Sequence, residues 1–565
     1  MPFLPLLKHV YNKINGKVPD RKIKFCRRGK MTESPKRPEL PNSAALQETP
    51  EPPKRLKPCI GGGESLLQDP IYGYIPFSSP LPGEPAGAEV TEKDLIDHPF
   101  VQRLRRIHQL QTAWLVYPTA EHTRFTHVLG TMHTASIAWA QLKTSFRSAC
   151  REFPAEEQPP SDDCIEALLR VAALLHDVGH GPFGHFFDEY FLRGYQDSDG
   201  EPLTHERLGA VIIKEIMAPL IRGLRRTPNG SLRDGETVDP EQAAFLIVRP
   251  KSGEHSGRPR WLILLRTLFS GIYTVDNMDF VLRDAWLSGL SPRAFDRDRL
   301  LRYSFFTPRG LAIHSDGLST LTRFLTIRAE LFRSVYFHRT VRAADIQLTK
   351  LFKQCADLIF PYGNPCEHLD EYLRLTEWSL QEDVTRWAKA RDPRKRALAP
   401  AWADFFGRRI RWRRIAERTV SHRSGERANL FNTPNIIKMV ILQRLRDFGM
   451  DTGVNGDGNT GADTGTNTGT DTDADIDANI EVDIVQHTNR PVDGYEMGNG
   501  NILYDPEEKT EKRLSEEDIY RDIPQSYKIA RVYAAEGISP EIAAAIRRIV
   551  CDLVDGSPAD DATNM

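Results

Sequence analysis

The 565-residue sequence has little cysteine, no excess of either charge and no long apolar run. Each shortage excludes something. The cysteines are Cys26, Cys59, Cys150, Cys164, Cys355, Cys366 and Cys551, an odd number without a CxxC pair. That argues against a disulfide framework and a thiolate zinc site, and fits a reducing compartment: cytoplasm or, in a eukaryote, nucleus. Lys plus Arg is 75 against 77 Asp plus Glu, a net charge of −2. A globally basic nucleic-acid coat and a strongly acidic solvating chain are thereby excluded, though a local basic patch is not. No run approaches the roughly 18 apolar residues of a membrane span. The opening MPFLPLLKHVYNKINGK places its apolar patch before its basic residues, the reverse of a secretory leader.

The apolar share is 40%, a little under the ~45–50% of ordinary globular chains, which suggests a core diluted by disordered stretches. Residues 1–64 are rich in Pro, Lys, Arg and Glu and read as a disordered tail, as do 556–565. From 65 to 390 apolar positions recur three and four apart, as in CIEALLRVAALLHDV and STLTRFLTIRAELFRSVYF, which predicts a mainly α domain. Residues 70–90 are rich in Pro and Gly and read as loop with a short hairpin. Residues 451–475 are a low-complexity Asp/Thr/Gly/Asn insertion. A calcium loop there lacks its closing Glu, because Ala462 stands in that place. Around the insertion, 391–450 and 476–555 read as a smaller α+β lobe. IEVDIVQ alternates like a strand, while SEEDIYRDI and PEIAAAIRRIVCDLVDG read as helices.

The strongest local feature is LLHDVGHGPFGHFFD at 174–188. An apolar helix ends in His176-Asp177, so an imidazole nitrogen and a carboxylate oxygen can turn to one ion. Such donors suit Mg, Mn, Fe or Zn. The Gly-Pro turn brings His180, His185 and Asp188 back toward the same place. His127, in HTRFTH, and Asp276, in VDNMDFVLRD, supply an upstream imidazole and a downstream carboxylate. At 3.6 residues per turn Asp276, Phe280 and Asp284 share a helix face, and Asp279 points elsewhere.

This set resembles the HD phosphohydrolase superfamily, named for the His-Asp pair, and within it the deoxynucleoside triphosphate triphosphohydrolases, most closely the SAM-and-HD-domain branch. The strings DPIYG, QRLRRIHQL, HTRFTH, HDVGHGPFGH, THE at 204–206, DNMDFVLRD and SVYFHR carry the likeness over roughly 65–445, and more weakly over 476–555. No SAM-like bundle is legible upstream. The resemblance implies a divalent metal held by His127, His176, Asp177 and Asp276. It implies a dNTP substrate split into deoxynucleoside and inorganic triphosphate, a role in dNTP-pool control, and a homo-oligomer, dimer or tetramer. It gives Arg124 and Arg328 to the phosphates, a task suited to the guanidinium fork. His180, His185 and His205 become candidates for phosphate contact and proton delivery, with Asp188 orienting His205. Gln109 and Asp284 would take the 3′-hydroxyl, Leu110 and Tyr336 would exclude a 2′-hydroxyl, and His338 lies near that pocket. Asp97, Gln102, Arg105, Arg409 and Arg413 fall where the family binds an activating guanine nucleotide, GTP or dGTP.

Two positions depart from the family. Asn277 stands where close relatives carry a Lys or Arg, and Phe280 where they carry a Tyr. One cation and one hydroxyl are missing beside the polyphosphate. A further family lysine, just before DPI, has Ser65 near its place. Other readings therefore stay open: an HD phosphohydrolase acting on a nucleoside monophosphate or cyclic nucleotide, or a protein binding single-stranded nucleic acid. The second is motivated by the arginines flanking Trp412 in RRIRWRR at 408–414.

Overall fold

The computed structural model describes residues 63–83, 85, 87, 89–248, 257–422, 433–448, 450, 479–488, 502–507, 510–514 and 526–555. The N-terminal tail up to 62, the 451–475 insertion, the helix expected at 515–523 and the tail 556–565 lie outside these residues. The fold is mainly α, with a smaller α+β lobe toward the C-terminus.

A hairpin comes first, β1 (Glu64–Asp69) and β2 (Gly73–Ser78). The expectation placed it later, in 70–90. The Pro- and Gly-rich text there holds the turn, β2 and the exit, while β1 is the ESLLQD just before it, of which Glu64 alone falls in the region read as tail. Two long helices then pack together, α1 (Arg124–Cys150) and α2 (Asp162–Leu175). Ser161 caps α2 by accepting from the Cys164 amide, and Asp162 and Asp163 suit the positive end of its dipole. Every residue of α2 from Cys164 to Leu175 is buried, so its apolar run is a core helix. Its two charges, Glu166 and Arg170, are paired inside: Glu166 accepts from Ser136 and Asn229, Arg170 donates to Glu92.

Short helices α3 (His185–Tyr190) and α4 (His205–Val211) follow the turn after α2. Helix α5 (Val275–Leu287), capped by Thr274, packs across α1. A second hairpin, β3 (Ser304–Thr307) and β4 (Gly310–His314), lies beside α1, in the stretch that sequence reading placed in a mainly α domain without naming a strand there. Helix α6 (Leu318–Leu331) runs into a π turn, and α7 (Arg339–Ile359) starts behind it. Helix α8 (Pro393–Phe406) packs on α7 and buries Trp402 and Phe405 in the main core, although its residues were read with the C-terminal lobe.

The lobe itself contains β5 (Trp412–His422), α9 (Pro434–Asp447), β6 (Ile480–Thr488), β7 (Ile502–Asp505), β8 (Thr510–Arg513), β9 (Ser526–Ala535) and α10 (Pro540–Asp555). Its three-stranded sheet has the order β5-β9-β6, antiparallel throughout. Ile437 and Ile441 of α9 and Ile546 and Ile549 of α10 pack with Val532 of β9 into a second core. Burying each such side chain is worth about 1.5–3 kcal/mol. Strands β7 and β8 instead extend the first-domain hairpin, β7 pairing parallel with β4.

Candidate active site

The His-Asp pair sits where α2 ends. His176 is the C-cap residue, so its ring is freed from the helix stack and its Nδ1 donates to Ala173 O at 2.8 Å. That fixes the tautomer and turns Nε2 outward. His127 lies on the first turn of α1, fully buried, with Nδ1 donating to Asp279 Oδ2 at 2.8 Å. The two Nε2 atoms face one another at 3.2 Å. Asp276 Oδ1 lies 3.0 Å from His127 Nε2 and 3.7 Å from His176 Nε2; Asp177 Oδ1 lies 3.4 Å from His176 Nε2. Two imidazole and two carboxylate donors thus converge.

Both imidazoles carry their proton on Nδ1, so neutral rings would point lone pairs at each other. A positive charge between them resolves this. Without a metal, that charge is a proton. Burial disfavours it, but Asp276 and Asp279 outweigh burial and push His127 up to about 10. Burial likewise works against ionisation of Asp276, yet His127 and His176 hold its carboxyl well below the usual range. A divalent cation fits in place of that proton, and His127, His176 and Asp177 are among the groups whose spacing suits an ion.

Beside this cluster lies a second one. His180 is buried and stacks on His205 with centroids 3.6 Å apart. Burial, then the nearby Arg124 and His205, push His180 down to about 3, so it is neutral at ordinary pH. His205 Nδ1 donates to Asp188 Oδ2 at 2.5 Å. Burial opposes a charge on His205, but Asp188 outweighs it and raises its pKa. His185 stands 3.4 Å from the same Asp188 oxygen with its ring largely exposed.

A cavity of about 530 Å³ opens onto both clusters. It is lined by Gln109, Leu110, Arg124, Asp284, Arg328 and Tyr336, all expected there, together with His185, His205 and the departures Asn277 and Phe280. His180 and Asp188 stand behind it. His338 does not line it: the chain reverses after the π turn, and His338 caps α7 instead, accepting from the Thr340 amide. Arg124, expected on phosphate, donates here to Asp177 Oδ2 at 2.6 Å. Arg328 donates to Ile272 O at 2.8 Å. Two of the cavity's lining residues bury side-chain atoms without a hydrogen-bond partner, Gln109 Oε1 and Arg124 Nε, and His122 Nδ1 is a third such atom next to the lining carboxylate Asp284. Buried polar atoms are normally satisfied, so this concentration marks a place where a ligand completes the bonding.

Five neighbours were given no role in the sequence reading. Asp279 was set aside as facing away from Asp276; it does, and that turns it onto His127. Arg283 and Tyr72 in turn hold Asp279, and Asp69 holds Arg283. His122, one residue of the HTRFTH string, meets Asp284. The only sequence signal for these was their presence inside the recognised strings.

The residues expected to hold a regulatory nucleotide form two separate sets. Asp97 pairs with Lys93, and Arg105 donates to Gln102 and lies over the Phe125 ring. Arg409 pairs with Asp404, and Arg413 with Glu536. Among the described residues no contact of this chain joins the two sets. Trp412, expected to offer a face to a base, is buried against Ala343 and Tyr533 and covered by the Lys350 ammonium at 4.4 Å. β-Strand alternation turns it inward, which leaves its flanking arginines as the basic part of that reading. No helix among the described residues is long and apolar enough to cross a membrane.

Comparison with known proteins agrees with this geometry. Residues 124–256 match the family described as HD domain. The uncharacterized protein YwfO of Bacillus subtilis is 28% identical over 342 residues, 58% of this chain and 67% of its own. The deoxynucleoside triphosphate triphosphohydrolase SAMHD1 of Gallus gallus is 26% identical over 336 residues, 55% of this chain. The match spans 50% of the length of that relative. A hypothetical protein from Aquifex aeolicus superposes with a TM-score of 0.58 at 21% identity, over 86% of this chain and 100% of its own. A phosphohydrolase from Bacteroides thetaiotaomicron gives 0.54 at 20%, over 84% and 100%. These two structures speak for the fold alone. Of the converging donors, His127, His176 and Asp177 fall inside the segment that matches the HD domain family, and Asp276 lies beyond it.

Proposed function

We propose that this chain is a metal-dependent phosphohydrolase of deoxynucleoside triphosphates, splitting each into deoxynucleoside and inorganic triphosphate. The observation that carries the reading is one cavity with two ends. At one end are the convergent His127, His176, Asp177 and Asp276; at the other Asp284, held by Tyr336 and His122, beside Gln109 with its unpartnered Oε1. The name of the SAMHD1 relatives supports the substrate class. A divalent cation at the first end supplies Lewis acidity, activating water and polarising a phosphoryl oxygen.

The chain's own groups supply the rest. Arg124 and Arg328 face the cavity as guanidinium forks for phosphate oxygens. Water adds to the α-phosphorus and the bond to the 5′-oxygen breaks. That oxygen takes a proton from His205, kept charged by Asp188. Leu110 and Tyr336 close the space beside the sugar. A second reading, a mono- or diphosphate substrate, is favoured by Asn277 and Phe280, which place an amide and a phenyl ring at two lining positions where a cation and a hydroxyl would suit a longer polyphosphate.

Incubation with each dNTP and Mg²⁺ or Mn²⁺, with products resolved by chromatography, separates these. Deoxynucleoside plus triphosphate is the expected result; dNMP plus pyrophosphate, or turnover of monophosphates alone, rejects it. His176→Ala and Asp177→Ala are expected to lose bound metal and turnover together. Normal metal content in either variant would misplace the centre.

A further inference from the structure

The carboxylate at the sugar end of the cavity is held from two sides. Asp284 is buried on α5. Tyr336 donates its hydroxyl to Oδ2 at 2.5 Å, and His122 Nε2 donates to Oδ1 at 2.8 Å. His122 precedes α1 by two residues. Its ring is buried, and its Nδ1 has no partner, so among the described residues Asp284 is the ring's sole hydrogen-bond partner. The backbone fixes it from behind, because the His122 carbonyl accepts from the amide of Gln109 at 3.0 Å. One short segment therefore sets both the Asp284 carboxylate and the neighbouring Gln109, whose Oε1 is buried and unpartnered.

We propose that His122 is a positioning residue that tunes recognition of a hydroxyl on the bound ligand. The inference rests on the reading that the cavity takes a deoxynucleotide with its sugar at Asp284. A carboxylate is acceptor-only, and two of its lone pairs are taken by protein donors. The remaining ones are directed into the cavity at an angle set by His122 and Tyr336 together. A ligand hydroxyl that donates to Asp284 completes the set; a ligand lacking it leaves a buried acceptor unmatched. Sites built this way reject the analogue strongly, because the protein's own groups are left unpaired. Removing the ring lets the carboxylate rotate toward the vacated space, so discrimination suffers more than binding of the rest of the nucleotide.

The experiment compares kcat/KM for a dNTP and its 2′,3′-dideoxy analogue, alongside equilibrium binding of both, in the wild type, His122→Ala, His122→Gln and Asp284→Asn. His122→Ala is expected to shrink the dNTP to dideoxy ratio at least tenfold with bound metal unchanged. The amide of His122→Gln can still donate to Oδ1, so it should recover part of the ratio. A merely structural histidine would lower both substrates alike and leave the ratio fixed. If Asp284→Asn collapses the ratio and neither His122 variant moves it, this inference is overturned while the substrate reading stands. If the wild type neither binds nor hydrolyses a dNTP, the substrate reading falls and takes this inference with it. Should His122→Ala fail to fold, as judged by circular dichroism, His122→Gln against the wild type decides alone.

Discussion

Asp279 touches nothing in the cavity, yet it decides which nitrogen His127 offers. Its carboxyl lies low despite burial, because Arg283 and His127 favour the charged form. Outer partners of this kind raise a ligand's basicity and fix its ring, and their loss costs about 10- to 100-fold in metal affinity. Asp279→Ala should show that loss in a chelator competition. Gly130→Ala should shift affinity the same way without removing a charge, since a Cβ there would sit 2.0 Å from Asp279 Oδ1 and 2.3 Å from Arg283 Nη2. Unchanged affinity in both would detach Asp279 from the metal. His205 offers a test by pH. A proton donor works while protonated, so turnover should fall as pH rises through the raised His205 value. Asp188→Asn removes the charge that raises it, leaving burial to lower it, and the basic limb of the pH–rate profile should move to lower pH. Superimposable basic limbs would exclude His205 as the donor.

At the scale of elements, the pieces that sequence reading recovered are those whose signal is local. Helix α2 announces itself by an unbroken apolar run, a Ser-Asp-Asp start and the His-Asp end, all within one window. The four residues proposed for the metal, which the structure brings together, stand in short, distinctive strings. The β3–β4 hairpin was not legible, because its strands are four and five residues long and its sheet is completed by β7, nearly two hundred residues later. Asp279 was misjudged for a related reason: the helical wheel shows which face it occupies but not that α1 presents His127 to that face. The turn after α2 shows what local text can set. Gly179 has no Cβ to clash with α4; one would stand 2.1 Å from the His205 carbonyl and 2.6 Å from the Gly209 amide. Backbone cannot step aside as a side chain can. Gly179→Ala should therefore push α4 and His205 away from the metal cluster while leaving His176 and Asp177 in place. A displacement near 1 Å can cost about 100-fold in rate. The expected variant binds metal normally and turns over at least that much more slowly; wild-type turnover would show that the contact between the two backbones is not needed.

For the whole molecule the question is how the C-terminal lobe bears on the cavity. Strand β6 reaches it twice. Asp483 accepts from Arg342 Nε and Nη2 at 3.1 and 2.7 Å, and His487 stacks on Phe332 with centroids 4.1 Å apart. Both Arg342 and Phe332 line the cavity. Arg342 is also held by Asp345, which accepts from Gln111, another residue of the cavity lining, and from the buried Thr112. The lobe thus clamps one part of the cavity lining to another through a single guanidinium. Tyr533 of β9 adds a bond to the Arg339 carbonyl, at the start of the same helix as Arg342. Asp483→Ala leaves Arg342 with Asp345 alone, so the loss should be that of charge-assisted hydrogen bonds, about 1.5–3 kcal/mol. Because those bonds join two cores rather than fill one, the loss should appear as local opening of β6. Hydrogen exchange over 480–488 should quicken while exchange in α2 stays as it was. KM should rise with kcat little changed, since the clamp shapes the cavity without touching the metal or His205. If exchange in α2 quickened equally, the two cores would unfold as one, and the lobe would be a stabiliser of the whole chain instead of a clamp on its cavity.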